Sequence, residues 1–323
     1  MALSTIKTAS IANDAITPDK IINDGNLGVR NLIINGAMQV AQRSTSVSSQ
    51  TGSGYKTTDR WRTNSSGGTY NQSRQTVPLG DSVVGDFKYF LRHEVTTGDN
   101  FTGIQQRIED VQSVAEGTVT LSFYAKGTNP NAGSIAIGTN QYFGTGGSPS
   151  TNVEVQDAAT FTVTSSWQRF NFQLTVASIS GKTLGTNGDS YFQIQFTQAG
   201  GDASTDAWTL DITGVQLELG DTATPFEHRS FGNELTRCQR YYQKLWYRSN
   251  NIFTDFTGTQ YATQSLVNPV RTNGTVTNSV STGANITVSS MTIVNENTLQ
   301  IICSSSGTHN NWVTGDIFVD AEL

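Results

Sequence analysis

Three histidines, a few carboxylates and a scatter of loop aromatics are the residues of this chain with usable chemistry. His93, His228 and His309 lie far apart and share no zinc-ligand spacing, and no HExxH pattern is present. The glycines form neither a phosphate-binding loop nor a nucleophile elbow; they punctuate turns instead. Glu109-Asp110 is the one adjacent acidic pair. A two-carboxylate glycosidase needs its acids about 5–10 Å apart across a cleft, which sequence neighbours rarely provide. Asp202 and Asp206 read better as a solvated loop. Aromatics remain: Tyr142-Phe143 and Trp312 fall in Gly- and Asn-rich stretches where a ring can stay accessible and stack on a sugar face. In SSSGTHNNW, His309, Asn310 and Asn311 add polar groups that match sugar hydroxyls. Trp61, Trp167 and Trp208 sit beside alternating patterns and read as core. These residues point to ligand binding, with no catalytic residue and no metal site.

The elements that must position them are strands. Of 323 residues only 14% are charged and 35% apolar, while Thr, Ser, Asn, Gln and 31 Gly fill the difference. Ser, Thr and Asn compete for backbone hydrogen bonds and Gly carries a large entropy cost, so long helices are disfavoured. Fifteen Phe, ten Tyr and five Trp supply too much apolar area for a disordered chain. The length suits two domains. A net charge of −6 offers no basic stripe for nucleic acid. No apolar run approaches a membrane span, and Met1 to Pro18 lacks the pattern of a secretion signal, so synthesis in a cytoplasm is expected. Cys238 and Cys303 read as buried free thiols.

Along the chain, Ile6, Ile11, Ile16 and Ile21 recur every five residues, a step that fits neither helix nor strand. Residues 1–30 are therefore expected to be ordered by copies of themselves or by a docking partner. From Asn31 onward strand signals dominate, with a turn at Asn35-Gly36. Val119, Leu121, Phe123 and Ala125 share one face; so do Phe170, Phe172, Leu174 and Val176, and Phe192, Ile194 and Phe196. The stretch FTGIQQRIEDVQSV is expected to run as a strand to Ile108 and then as a short turn or helix. In WTLDITGVQLELG the apolar parity switches at Thr213-Gly214, which predicts a β-bulge. Ser230 caps an amphipathic helix within 229–248, whose face carries Leu235, Cys238, Tyr242 and Leu245. Asp59-Arg60 beside Trp61 reads as a structural ion pair. Residues 249–323 carry a second run of short strands with a thin core.

Two resemblances follow from these residues. The order of TLDITGVQLELGDTATPFEHRSFGNELTRCQRYYQKLWYR, residues 209–248, resembles a strand-to-helix joint of phage tail-fibre and virion structural proteins. Asn31–Met38, LSFYAKG, SSWQRFNF and LDITGVQLEL resemble the jelly roll of carbohydrate-binding module families 4 and 9. Together they imply an all-β chain with four parts: an attachment segment (1–30), a jelly-roll sandwich (31–228), a linking helix (229–248) and a smaller C-terminal β domain (249–323). Those families often hold a structural calcium through aspartates on the closing strand. Here Thr213 and Gly214 stand at the nearest positions and only Asp211 is acidic, so calcium is not supported and no cofactor is expected.

The fibre resemblance implies a virion protein, a homotrimer, that meets other tail proteins through residues 1–30 and a host glycan or receptor through residues 249–323. Oligomerisation is expected through Ile6, Ile11, Ile16 and Ile21 and through Leu235, Tyr242 and Leu245. Trp312, His309, Asn310, Asn311 and Tyr142 are the expected ligand contacts. An adaptor or collar fibre without host contact has the same architecture and stays open. A virion-borne depolymerase ranks last, because residues 31–323 lack the stacked repeats of a β-helix.

Overall fold

The computed structural model describes residues 30–81, 87–97, 101–130, 133–199, 207–250, 258–271, 274–306 and 312–323. Twelve strands precede the single α-helix among these residues. They are β1 (Ser46–Thr51), β2 (Gly54–Tyr55), β3 (Arg62–Ser66), β4 (Thr69–Thr76), β5 (Tyr89–Thr97) and β6 (Phe101–Glu109). After a 3-10 turn at Val111–Val114 come β7 (Gly117–Thr128), β8 (Ile135–Tyr142), β9 (Val153–Phe161), β10 (Gln168–Val176), β11 (Tyr191–Gln198) and β12 (Trp208–Leu219). All pair antiparallel, in two six-stranded sheets ordered β1-β4-β5-β12-β7-β10 and β2-β3-β6-β11-β8-β9. This is a jelly-roll sandwich, with strands crossing repeatedly between two facing sheets.

Alternation decides which side chains fill the space between the sheets. Val119, Leu121, Phe123 and Ala125 of β7 are buried there, facing Phe192, Ile194 and Phe196 of β11. Phe123 stands at the centre of an aromatic cluster, edge-on to Phe161 and Phe196 and stacked with Phe170. Trp61, Trp167 and Trp208 are core residues as expected, and the strand β6 gives way to the 3-10 turn where the spacing predicts. The β12 register shifts between Thr213 and Gln216, placing the expected bulge. Gly214 adopts φ 60° there, and a Cβ on it would lie 2.5 Å from the Phe87 ring.

Residues 31–38 depart from the strand reading. They form a turn plugged into the end of the sandwich, with Asn35 in the left-handed region at φ 60°. Asn31 Nδ2 donates to the Val215 carbonyl, and Asn31 Oδ1 accepts from the Leu217 amide. Gln106 holds both backbone groups of Ile34. Gly36 lies so close to β12 that a Cβ would reach the Val215 carbonyl oxygen at 2.1 Å.

The helix α1 (Phe231–Gln239) is capped by Ser230, whose side chain accepts from the Asn233 amide. It is shorter than the sequence suggests. Tyr242 and Leu245 belong to the strand β13 (Tyr242–Asn250), where Leu245 and Tyr247 point inward and Lys244, Trp246 and Arg248 outward. The period of two prevails because nine consecutive residues find antiparallel partners on the last strand. Arg229 and Glu234 explain the joint's composition. Arg229 donates to the carbonyls of Asn31 and Ile33, and Glu234 accepts from the Asn35 amide.

The remaining strands are β14 (Gly258–Ser265), β15 (Thr275–Thr282), β16 (Ile286–Asn295), β17 (Thr298–Ser305) and β18 (Trp312–Asp320). Two three-stranded sheets, β13-β18-β15 and β14-β17-β16, enclose their own core of Leu245, Val270, Leu299, Ile301, Val313, Ile317 and Val319. Both cysteines are buried and unpaired. Among the described residues no helix is long and apolar enough to cross a membrane.

The two sandwiches are bound by buried charge. Arg60 is fully buried, stacks at 3.5 Å on the Tyr241 ring, pairs with Glu322 and donates to the Arg107 carbonyl. Burial works against its charge, but Glu322 carries its pKa above the usual arginine range. The expected Asp59–Arg60 pair is thus replaced, because Asp59 accepts from Gln42 instead. Arg43 reaches Glu322 and Asp320 from the side and lies 3.6 Å over the Tyr242 ring.

Glu322→Ala would leave the Arg60 charge buried and unpaired. A loss of about 3–5 kcal/mol is expected, read as a lower denaturation midpoint. Asp316→Ala, whose partner Lys244 is well exposed, should cost under about 1 kcal/mol. Equal losses would show that Arg60 is not the interdomain tie.

His93 adds a pH dependence. Its ring packs between Tyr70 and Trp208 with neither nitrogen hydrogen-bonded, and burial pushes its pKa down to about 3 from 6.5. The folded value lies below the unfolded one, so this contribution is whole above pH 6.5 and is lost as pH falls towards 3. His93→Phe is expected to flatten the fall in melting temperature between about pH 7 and pH 4. Parallel curves for the two proteins would remove the imidazole from the account.

Candidate functional site

The outer face of the second sheet is built from the other half of each alternating pattern. In β6 the inward residues are Ile104, Gln106 and Ile108, which leaves Gln105, Arg107 and Glu109 outward. In β11 Tyr191, Gln193, Gln195 and Thr197 take the same side. Register then assembles rows across the sheet. Arg62 of β3 lies opposite Gln105, which faces Gln195, which faces Gly138 of β8. In the next row Arg107, Gln193 and Asn140 follow, with Glu154 of β9 beyond. Glu109, Tyr191 and Tyr142 make the third.

These side chains interact as one array. Gln193 Nε2 donates to Gln195 Oε1 at 3.0 Å, and Arg107 Nε donates to Gln193 Oε1 at 3.3 Å. With its oxygen turned to the two guanidiniums, the Gln105 carboxamide accepts from Arg62 Nη1 at 3.1 Å and Arg107 Nε at 3.3 Å. Tyr142 and Tyr191 stack at 4.6 Å, and Arg107 lies 4.5 Å over Tyr191. Gln105, Gln193 and Gln195 are nearly buried although they face away from the core, so the face is recessed. Asn140 Oδ1 is buried without a hydrogen-bond partner. An unpaired buried acceptor carries a desolvation cost of about 1–3 kcal/mol that a ligand hydroxyl would remove.

The C-terminal sandwich closes one end of this face. Glu109 accepts from Arg240 at 2.7 and 3.0 Å and from the Tyr241 hydroxyl at 2.8 Å. Burial raises the Glu109 pKa, but those bonds outweigh it and hold the carboxyl below its usual range. Arg107 Nη1 and the Tyr55 hydroxyl both donate to the Leu323 carbonyl oxygen. Glu109 is thus held as a structural carboxylate, and Asp110 accepts from the Gln112 amide to cap the 3-10 turn.

Of the ligand contacts expected from sequence, Tyr142 belongs to this array, at the end of a strand rather than in a loop. Trp312 opens β18 and is 37% exposed. His309, Asn310, Asn311, Asp202, Asp206 and the four isoleucines lie outside the described residues. Leu235 is half-buried and lines a groove of about 640 Å³ with Phe87, Tyr89 and Phe231. Tyr242 and Leu245 are buried within the chain itself, so they offer no face for oligomerisation. Tyr242 is covered by Arg43, and Leu245 packs in the C-terminal core.

Sequence reasoning passed over Arg62, Gln105, Arg107, Asn140, Tyr191, Gln193 and Gln195. A signal existed in the polar positions of FTGIQQRIE and YFQIQFTQ, which carry several amides and a guanidinium where β7 carries Thr, Ser, Tyr and Lys. At the closing strand, Asp211 is held by Arg92 through two bonds of 2.7 Å. No group of three metal-ligating side chains occurs among the described residues.

No protein-family model matches the chain, and no curated protein matches it. Among solved structures it is similar to the enzymatically active domain of tailspike protein 4 of bacteriophage CBA120, at 16% identity and a TM-score of 0.34. That likeness covers 58% of this chain and 21% of the tailspike chain. The N-terminal cellulose-binding domain of Cellulomonas fimi β-1,4-glucanase C matches at 21% identity and TM-score 0.29, covering 42% of this chain and 80% of that one. A xylan-binding domain of carbohydrate-binding module family 22 matches at 14% and 0.32, covering 51% and 90%. The fold is defined by the sheet order and register of the chain itself.

Proposed function

We propose that this protein binds glycans without catalysis, as part of a phage tail fibre, with the recessed face of the second sheet as its binding surface. The observation that carries the reading is the convergence of Gln105, Gln193, Gln195, Asn140, Arg62 and Arg107 beside the Tyr142–Tyr191 stack. A sugar hydroxyl both donates and accepts, and a carboxamide offers both partners at fixed spacing. The tyrosine pair supplies an apolar ring edge. Hydrolysis would need a second, free carboxylate opposite the first, and Glu109 is already held by Arg240 and Tyr241.

The virion setting rests on the resemblance of residues 209–248 and on the five-residue isoleucine repeat. In this reading residues 1–30 attach to other tail proteins and set a homotrimer. Single contacts of about 1 kcal/mol then sum over several copies into useful attachment. An adaptor or collar fibre remains the alternative.

A second surface has its own supporting observation. Trp246 is 67% exposed on the outer side of β13, and Trp312 is exposed on the adjacent β18. On this reading the C-terminal sandwich meets the host.

Binding to a glycan array, followed by calorimetry on each hit, separates the two. Gln193→Ala and Tyr142→Ala are each expected to weaken binding about tenfold, equivalent to ~1.4 kcal/mol, while Trp312→Ala leaves it unchanged. The reverse pattern would move the site to the C-terminal sheet.

A further inference from the structure

The outer face of the second sheet holds two like charges with no Asp or Glu side chain between them. Among the described residues no Asp or Glu side chain pairs with Arg62 or Arg107, whereas Arg43, Arg60, Arg92 and Arg240 each have one. Arg62 and Arg107 instead converge on the single oxygen of the Gln105 carboxamide. That oxygen is neutral, and two guanidiniums sharing it repel each other. Burial first, and then the Arg107 charge, pushes the Arg62 pKa down. Of the two, Arg107 has further partners, in the Gln193 carboxamide, a Leu323 oxygen and the Tyr191 ring, so Arg62 is the less satisfied guanidinium.

We propose that the glycan held on this face carries a carboxylate, and that Arg62 with Arg107 forms the subsite for it. The inference rests on the glycan-binding reading above and names the substrate class. A carboxylate has two oxygens in one plane, which suits paired N–H donors from guanidinium forks, and such charge-assisted bonds are about twice as strong as neutral ones. The Gln105 oxygen stands where one carboxylate oxygen would accept.

The sheet also sets the orientation. Arg107 and the unpartnered Asn140 Oδ1 lie in one row, separated by β11. Two interstrand steps of about 4.8 Å place them roughly 10 Å apart. A ligand with its carboxylate at the β3–β6 side therefore presents a hydroxyl donor at β8. Sugars in which acid and neutral units alternate satisfy both ends.

The test uses the full chain and an array of uronic-acid oligosaccharides, each paired with its neutral methyl ester. The acid form is expected to bind at least about tenfold tighter than its ester in low salt. Raising ionic strength to about 0.5 M should cut that preference to under about threefold. Arg62→Gln should weaken the acid form about tenfold more than the ester, and Arg62→Lys, which keeps the charge without the fork, should fall between. Acid and ester bound alike, or a preference that survives both salt and Arg62→Gln, would overturn the subsite while leaving neutral glycan binding in place. Failure of every acid and every ester to bind would overturn the subsite and the glycan reading together.

Discussion

Arg60 is the group on which the arrangement of the molecule depends. A guanidinium with no access to water is tolerable only if its charge is matched. Glu322 matches the charge, the Arg107 carbonyl takes a donor, and the Tyr241 ring covers one face of the plane. The three partners come from the last residues, from β6 and from the joint after α1. Satisfying one side chain therefore brings the last residues of the chain and both sandwiches to one place. The bonds from Gln42 to the Tyr242 carbonyl and from the Ala321 amide to the Tyr241 carbonyl follow from that meeting.

The recessed face inherits its limits from the same junction. Because the C-terminal residues reach β6, the Glu109 end of the sheet is closed by Arg240 and Tyr241, and Tyr55 and Arg107 are tied to Leu323. The rest of the face is left with amides, two guanidiniums and a tyrosine stack. A rigid β floor holds them at interstrand spacing, so donors and acceptors are fixed in place. The interior opposite is apolar and tightly interlocked, so each outward residue is anchored by the inward ones beside it.

Much of the fold was written in the residues themselves. Clean alternation in TVTLSFYAKG and SSWQRFNFQLTV assigns both strand and buried face, since only one parity can reach the core. The parity switch at Thr213-Gly214 identified a bulge, and Ser230 identified a helix start. These are local properties, decided by sterics and by a period of two. The helix length was not local. Tyr242 and Leu245 fit a helical face as well as a strand, and nine cross-strand partners on β18 decided the matter.

The site belongs to the same class of question. Gln105, Asn140 and Gln193 are each unremarked polar residues on an alternating strand. Only register across β6, β11 and β8 makes them one array, over sequence gaps that no pattern spans. Arg60 likewise reads as the partner of its neighbour Asp59 until a carboxylate 262 positions away displaces it. The sequence by itself determined that this chain is all-β, where most of its strands lie and which faces are apolar, because burial of alternate side chains is set residue by residue. Tertiary structure alone decided which polar faces meet and which charges are paired, because those energies depend on partners that the chain brings together only when it folds.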